Sequence, residues 1–306
     1  IFSIGFIVLY GIWKNIKNKD LQEYFKGSNK SRWWTIGISV MATQASAITF
    51  LSTPGQAYSD GMGFIQFYFG LPFAIIIISI FFLPIYHKLK VYTAYEFLEK
   101  RFNKKTRNLA SLLFLIQRGL AAGITIYAPA IIMSLILKWP LYLLIIIIGS
   151  LVTFYTLIGG TKAVNVTQKQ QMFVIFIGLF ITVYYIFKGI PKEFSLNEVL
   201  EIAGANGKLD ILNFDLDFKS RYTFWSGITG GLFLALSYFG TDQSQVQRYI
   251  SGKNLRESQK GLFFNAILKV PMQFLILFIG VSVFVFYQFN LSPINFNTAA
   301  LEKVRN

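Results

Sequence analysis

Cysteine is absent from the 306 residues, histidine occurs once, and 14 acidic side chains face 29 basic ones. Without cysteine there can be no disulfide, thiolate metal site or cysteine nucleophile. The one histidine, His87, falls in a basic stretch and reads as a solvated loop residue rather than a ligand. Charge of either sign is scarce: 14% of residues are charged, against about a quarter in soluble domains. No Walker motif, HExxH, nucleophile elbow or carboxylate pair occurs, so acid–base catalysis has few candidates and the sequence does not indicate an enzyme.

What the chain has instead is apolar length. Hydrophobic residues make up 54% of it and aromatics 17%. Several runs reach the roughly twenty residues that cross a bilayer. Spans are expected at 1–13 (partial), 33–57, 64–86, 108–137, 139–158, 171–189, 223–249 and 261–287. Together they make one all-α polytopic membrane domain over 1–306, with the lipid bilayer as its surroundings. The stretch 1–13 has no basic n-region or cleavage site, so it reads as part of a helix rather than a signal peptide. With 298–306 lacking a natural finish, the expectation is a fragment.

A net charge of +15 could suggest nucleic acid, but its distribution does not. Lys14–Arg32, Lys88–Arg107, Lys162, Lys169 and Arg248–Lys260 fall in alternate loops, which the short-loop bias assigns to the cytoplasm. The opposite side carries the longest loop, 190–222, with six acids that do not follow EF-hand spacing. Leu196, Val199, Leu200 and Ala203 give that loop a short surface helix.

Two spans look interrupted. The first runs from Ser39 to Gly55 and is small and polar through its middle; the second holds Gly227, Gly230, Gly231 and then Gly240-Thr241-Asp242-Gln243. They are five apart in order and cross in opposite directions. Paired interrupted helices in inverted halves mark the binding site of secondary transporters. Ala42, Ala45, Ser46 and Thr49 fall at i, i+3, i+4 and i+7 on one helical face. That face suits close helix packing, or a cavity whose Ala42 and Ala45 carbonyls meet Na⁺. Asp242 is the only carboxylate at membrane depth, and such a group is a functional candidate by default. Arg118 and Lys269 are the only bases there. Arg118 could grip a carboxylate or serve as a structural counter-ion. Lys269, near Pro271, could pair with Asp242 or touch substrate.

Several stretches then resemble the sodium:solute symporter family. They are Glu23-Tyr-Phe-Lys-Gly27 before Trp33-Trp34, Ser39 to Gly55, and Val91-Tyr-Thr-Ala-Tyr-Glu-Phe-Leu-Glu-Lys-Arg-Phe102. Ile158-Gly-Gly-Thr-Lys-Ala-Val164 and Asp242-Gln-x-x-Val-Gln-Arg248 complete the set. The resemblance implies a LeuT-type five-plus-five inverted repeat, cut after about the seventh core helix. It implies a Na⁺-coupled symporter working by alternating access in an inner or plasma membrane. Ala42 and Ala45 would offer carbonyls to Na⁺, whose remaining hydroxyl ligands lie on a later helix, so this chain by itself would not transport.

Ser46 and Thr49 look like the substrate hydroxyls of sialic-acid transporters. Phe64 and Tyr68 fall at substrate-facing positions, and Arg118 lies about one turn from those relatives' carboxylate-gripping arginine. Tyr238 matches the inner gate of sugar-transporting members, and Lys269 their cavity lysine. Ala235 replaces a sugar-binding Asn, which favours an organic anion such as a sialic acid or carboxylate over a hexose. Gln168 stands where members with an extra sodium site carry an Asp, so one coupled Na⁺ is expected. The comparison moves Asp242 from ion ligand to gate support. A sugar symporter, an H⁺-coupled symporter using Asp242, and a symporter-like sensor domain are the alternatives.

Overall fold

The computed structural model describes residues 31–217 and 219–291, so the expected span at 1–13, the 23–27 motif and the 298–306 end lie outside the described residues. Within them the chain is helical almost throughout. Helix α1 (Trp33–Gln44) and helix α2 (Ala47–Asp60) are two halves of one span bent by 64°. Helix α3 (Met62–Leu89) opens as a 3-10 segment and carries a π-turn at Ile78–Phe82. The short α4 (Ala94–Arg101) leads into α5 (Lys104–Leu137) and α6 (Leu141–Lys188). After the loop helix α7 (Leu196–Ala205) come α8 (Phe224–Gly240), α9 (Gln243–Ile250) and α10 (Leu255–Phe289). Among the described residues, α3, α5, the second half of α6 and α10 are long and apolar enough to cross a membrane, and the bent α1–α2 pair adds a fifth span.

Local chemistry starts these helices. Ser46, Thr93, Asn103, Thr223, Asp242 and Asn254 each accept a backbone N–H of the first turn, supplying the acceptors that orphan N-terminal donors need. Ser195 does the same for α7 in a capping box with Glu198. The backbone and hydroxyl of Ser195 both donate to that carboxylate and hold it below the usual range.

Three expectations are corrected here. The residues 159–170, read as a loop between two spans, are helical apart from a kink: two helices, together labelled α6, meet at the non-helical Gly160. There φ is 52°, which glycine adopts without the penalty a Cβ would bring. His87 is in the last turn of α3, not in a loop, and its Nε2 lies 3.0 Å from Ser258 Oγ. Gly227, Gly230 and Gly231 do not interrupt α8.

The glycines of α8 let it approach α3 closely instead. A Cβ on Gly227 would stand 2.1 Å from the Gln66 carbonyl oxygen, and one on Gly231 2.4 Å from that of Phe67. From the other side, a Cβ on Gly70 would meet Leu232 N at 2.2 Å. Small residues at such crossings give membrane helices the backbone contact that lipid does not otherwise favour. Gly231→Val is therefore expected to cost about 1–3 kcal/mol or more through overpacking. A lower Tm in detergent checks this, with Gly230→Ala as control, since a Cβ there meets nothing within 4 Å. An unchanged Tm for Gly231→Val would mean α8 can slide off α3 freely.

Candidate functional site

Both interrupted spans break where small and polar residues cluster. In the first, Ala45 leaves the helical region (ψ 68°), and its N–H reaches back to the Ala42 and Met41 carbonyls, each at 3.1 Å. Ser46 restarts the helix, its Oγ accepting Thr49 N–H at 3.4 Å, while Thr49 Oγ1 donates to the Gln44 carbonyl at 3.3 Å. Among the described residues no donor reaches the Ala45 carbonyl. The Ala42 carbonyl keeps a second lone pair beside the one Ala45 uses. The break corrects the expected single face: Ala42 lies before it, and Ser46 and Thr49 beyond it.

The second break is at Thr241–Asp242. Carbonyls freed at the end of α8 are taken by tyrosines: Tyr86 Oη donates to Gly240 O at 2.7 Å, and Tyr249 Oη to Phe239 O. Asp242 Oδ1 accepts Ser244 N–H at 2.9 Å and the Ser244 hydroxyl at 2.6 Å, capping α9. Its Oδ2 is held by Arg118 Nη2 from α5. Arg118 also donates to Ser244 Oγ at 2.8 Å and lies 5.7 Å from the Tyr238 ring centre.

The expected Lys269–Asp242 pair is therefore absent, because α5 supplies the counter-ion first. Lys269 is 2% exposed and, among the described residues, makes no ion pair or hydrogen bond. Its ammonium stands 5.7 Å from the Tyr68 ring centre, a cation–π contact. It borders a cavity of about 340 Å³ lined also by Gln44, Phe64, Phe67, Tyr68, Leu234, Ala235 and Tyr238. Gln44 ends the first half of the broken span, and Ala235 and Tyr238 precede the second break, so the cavity lies between the two interruptions. Tyr238 Oη accepts Gln245 Nε2 at 2.8 Å and closes one side.

Of the residues singled out in the sequence, Phe64, Tyr68, Tyr238 and Lys269 converge on this cavity. Arg118, Ser46 and Thr49 do not line it. Arg118 is held on Asp242, and the two hydroxyls are turned to their own helix start. Gln44 was missed, although an amide at a helix break in an apolar span was a visible signal. A second polar group was read only in part, since Gln168 was singled out but not its partners. The Ser39 hydroxyl is shared between Asn165 Oδ1, at 2.8 Å, and Gln168 Oε1, while Gln168 Nε2 donates to Thr43 Oγ1 at 2.9 Å. These four join α1 to the second half of α6. No group of three or more His, Asp or Glu side chains converges among the described residues.

A match to the sodium:solute symporter family spans residues 24–304. The chain belongs to that family. This sodium:solute symporter chain is 34% identical over 267 residues to the sodium-coupled monocarboxylate transporter 2 of Bos taurus, covering 87% of the chain and 43% of the relative. It is 35% identical over 246 residues to the human sodium-coupled monocarboxylate transporter 1, covering 80% and 40%. With the human sodium/iodide cotransporter the identity is 28% over 292 residues, covering 94% and 45%. The chain thus spans less than half the length of these relatives. The solved structure of a Na⁺-coupled sialic acid symporter, substrate-bound and outward-open, superposes with a TM-score of 0.88 at 29% identity, over 97% of this chain and 63% of that one. The all-α, multi-pass LeuT-type fold expected from the sequence is the one found, with breaks between α1 and α2 and between α8 and α9.

Proposed function

We propose that this chain forms part of a Na⁺-coupled symporter that brings a small organic anion, most simply a monocarboxylate, across the cell membrane. The observation that carries this reading is Lys269, a buried ammonium with no carboxylate partner facing an aromatic cavity between two helix breaks. A buried charge is costly unless paired, and a substrate carboxylate is the natural partner. Phe64, Tyr68 and Tyr238 would pack its apolar part. Arg118 is not a substrate ligand in this reading but the counter-ion of Asp242.

Na⁺ would sit at the first break, where the Ala45 carbonyl is unclaimed and that of Ala42 half-claimed. The end carrying Lys88–Arg107 and Arg248–Lys260 faces the cytoplasm. Coupling follows if Na⁺ favours the outward-open state, since a ligand shifts a conformational equilibrium only through its differential affinity. An H⁺-coupled mechanism through Asp242 is disfavoured by the ion pair that already occupies that carboxylate. An inorganic anion, as the name of the iodide cotransporter suggests, fits the charge but not a cavity of about 340 Å³.

One Na⁺ per substrate is expected, because Gln168 is neutral and both its amide atoms are spent on Ser39 and Thr43. One Na⁺ with one monoanion moves no net charge. In proteoliposomes carrying the whole protein, labelled monocarboxylate uptake is expected to need Na⁺ and to ignore an imposed inside-negative potential. Uptake of hexose or sialic acid but not monocarboxylate would overturn the substrate reading. Uptake without Na⁺ would overturn the coupling, and acceleration by the potential would overturn the ratio of one.

A further inference from the structure

Two hollows adjoin at the basic end of α3, and they differ in chemistry. The first, of about 280 Å³, lies between α3 and α4 and is lined by Phe81, Ile85, Tyr95, Phe97 and Leu98. It reaches Thr241 at the second break. Phe81 and Ile85 are also exposed on the flank of α3. In a membrane span such an apolar flank is what acyl chains cover.

The second hollow, of about 540 Å³, opens just beyond the end of α3 and is lined by His87, Lys90, Lys100 and Lys253. Tyr86 borders both hollows. The three lysines come from three elements: Lys90 caps α3, Lys100 lies on α4, and Lys253 lies in the turn between α9 and α10. Among the described residues no carboxylate lines this hollow. Glu96 of α4 stands 3.7 Å from the Lys100 ammonium, which also donates to the Leu89 carbonyl at 2.8 Å. Three ammonium groups therefore stand against that one acid. Like charges drawn around one hollow repel, and an anion placed between them turns repulsion into attraction.

A free anion would account for the basic hollow but not for the apolar one beside it. A molecule with an anionic head and an apolar tail accounts for both. We propose that the two hollows bind one anionic phospholipid of the surrounding bilayer. Its phosphate lies among Lys90, Lys100 and Lys253, and an acyl chain follows the groove between α3 and α4. A basic residue close to a membrane surface strengthens binding of anionic lipid by about fivefold. The walls belong to α3, α4 and the α9–α10 turn, so the lipid ties these elements together. A ligand of the folded arrangement alone stabilises it. Neither hollow shares a lining residue with the cavity beside Lys269. The proposal is therefore independent of which solute is carried.

The test follows the Tm of the whole protein in neutral detergent as phosphatidylglycerol, phosphatidylcholine or glycerol 3-phosphate is added. Phosphatidylglycerol is expected to raise the Tm saturably, and the other two to leave it unchanged. Lys90→Asn combined with Lys253→Gln is expected to raise the half-saturating phosphatidylglycerol concentration by about twentyfold, two lysines at about fivefold each. Asparagine suits position 90, where φ is 49°. Lys253→Gln alone, at about fivefold, serves if the double variant does not fold. Lys104→Gln combined with Lys105→Gln removes two exposed lysines outside the hollow and is expected to keep the wild-type value. No response to phosphatidylglycerol, or an equal one to phosphatidylcholine, overturns the proposal. An equal response to glycerol 3-phosphate makes the occupant a soluble phosphate and overturns it too. So do equal losses in the two double variants, which would reduce the effect to general surface charge.

Discussion

Lys269→Met is expected to lower Na⁺-dependent anion uptake by about a hundredfold in kcat/KM while the protein becomes no less stable. Two magnitudes set against each other give this result. A hydrogen bond to a charged group contributes about 1.5–3 kcal/mol, which converts to roughly ten- to a hundredfold or more in affinity. In the substrate-free protein the same ammonium is a liability: it is 2% exposed, with a ring face for company and no carboxylate. Methionine keeps the length and apolar stem of lysine, so removing the charge relieves a desolvation cost without opening a void. Initial-rate uptake and thermal unfolding on one preparation measure both halves. A drop in Tm with uptake lost would mean that Lys269 holds the fold through a partner. Unimpaired uptake would remove the anion reading altogether.

Much of this architecture could be read from residues alone. Apolar runs located the spans, and the small polar stretch around Ala42–Thr49 marked the first break, because no bulky side chain there enforces a continuous helix. Gly240-Thr241-Asp242 marked the second. Less legible was anything decided by which helix arrives first. Lys269 and Asp242 looked like natural partners because they were opposite charges at membrane depth on neighbouring spans. The Arg118 side chain reaches from α5 to the α8–α9 joint and takes Asp242, and no periodicity within α5 announces that. Gly227 and Gly231 illustrate the same limit: glycine both breaks helices and lets them touch, and only the position of α3 selects the second role. The amides failed for a related reason. Gln44, Asn165 and Gln273 look like ordinary polar residues until the fold shows what surrounds each one.

Asp242→Asn is expected to slow turnover by about tenfold, on the order of 1.4 kcal/mol at the conformational barrier, while changing half-saturation by Na⁺ by less than about twofold. The substitution is selective because asparagine caps a helix as well as aspartate does. The start of α9 is preserved and only the charge is removed. What is lost is the link to Arg118, which ties α5 to the joint between α8 and α9 one turn from Tyr238. Breaking a fully buried pair costs about 3–5 kcal/mol. Here the arginine side chain is 31% exposed and that of Asp242 10%, so solvent screening lowers the figure. The effect falls on whichever state keeps the Tyr238 side closed, and hence on the rate of cycling between states. Arg118→Gln is expected to match it, and the double variant to be little worse than either, since one interaction is being removed twice. The rival outcome, lost Na⁺ affinity at normal turnover, would require Asp242 to be an ion ligand. Its oxygens leave little room for that: Ser244 holds one through its N–H and hydroxyl, and Arg118 holds the other.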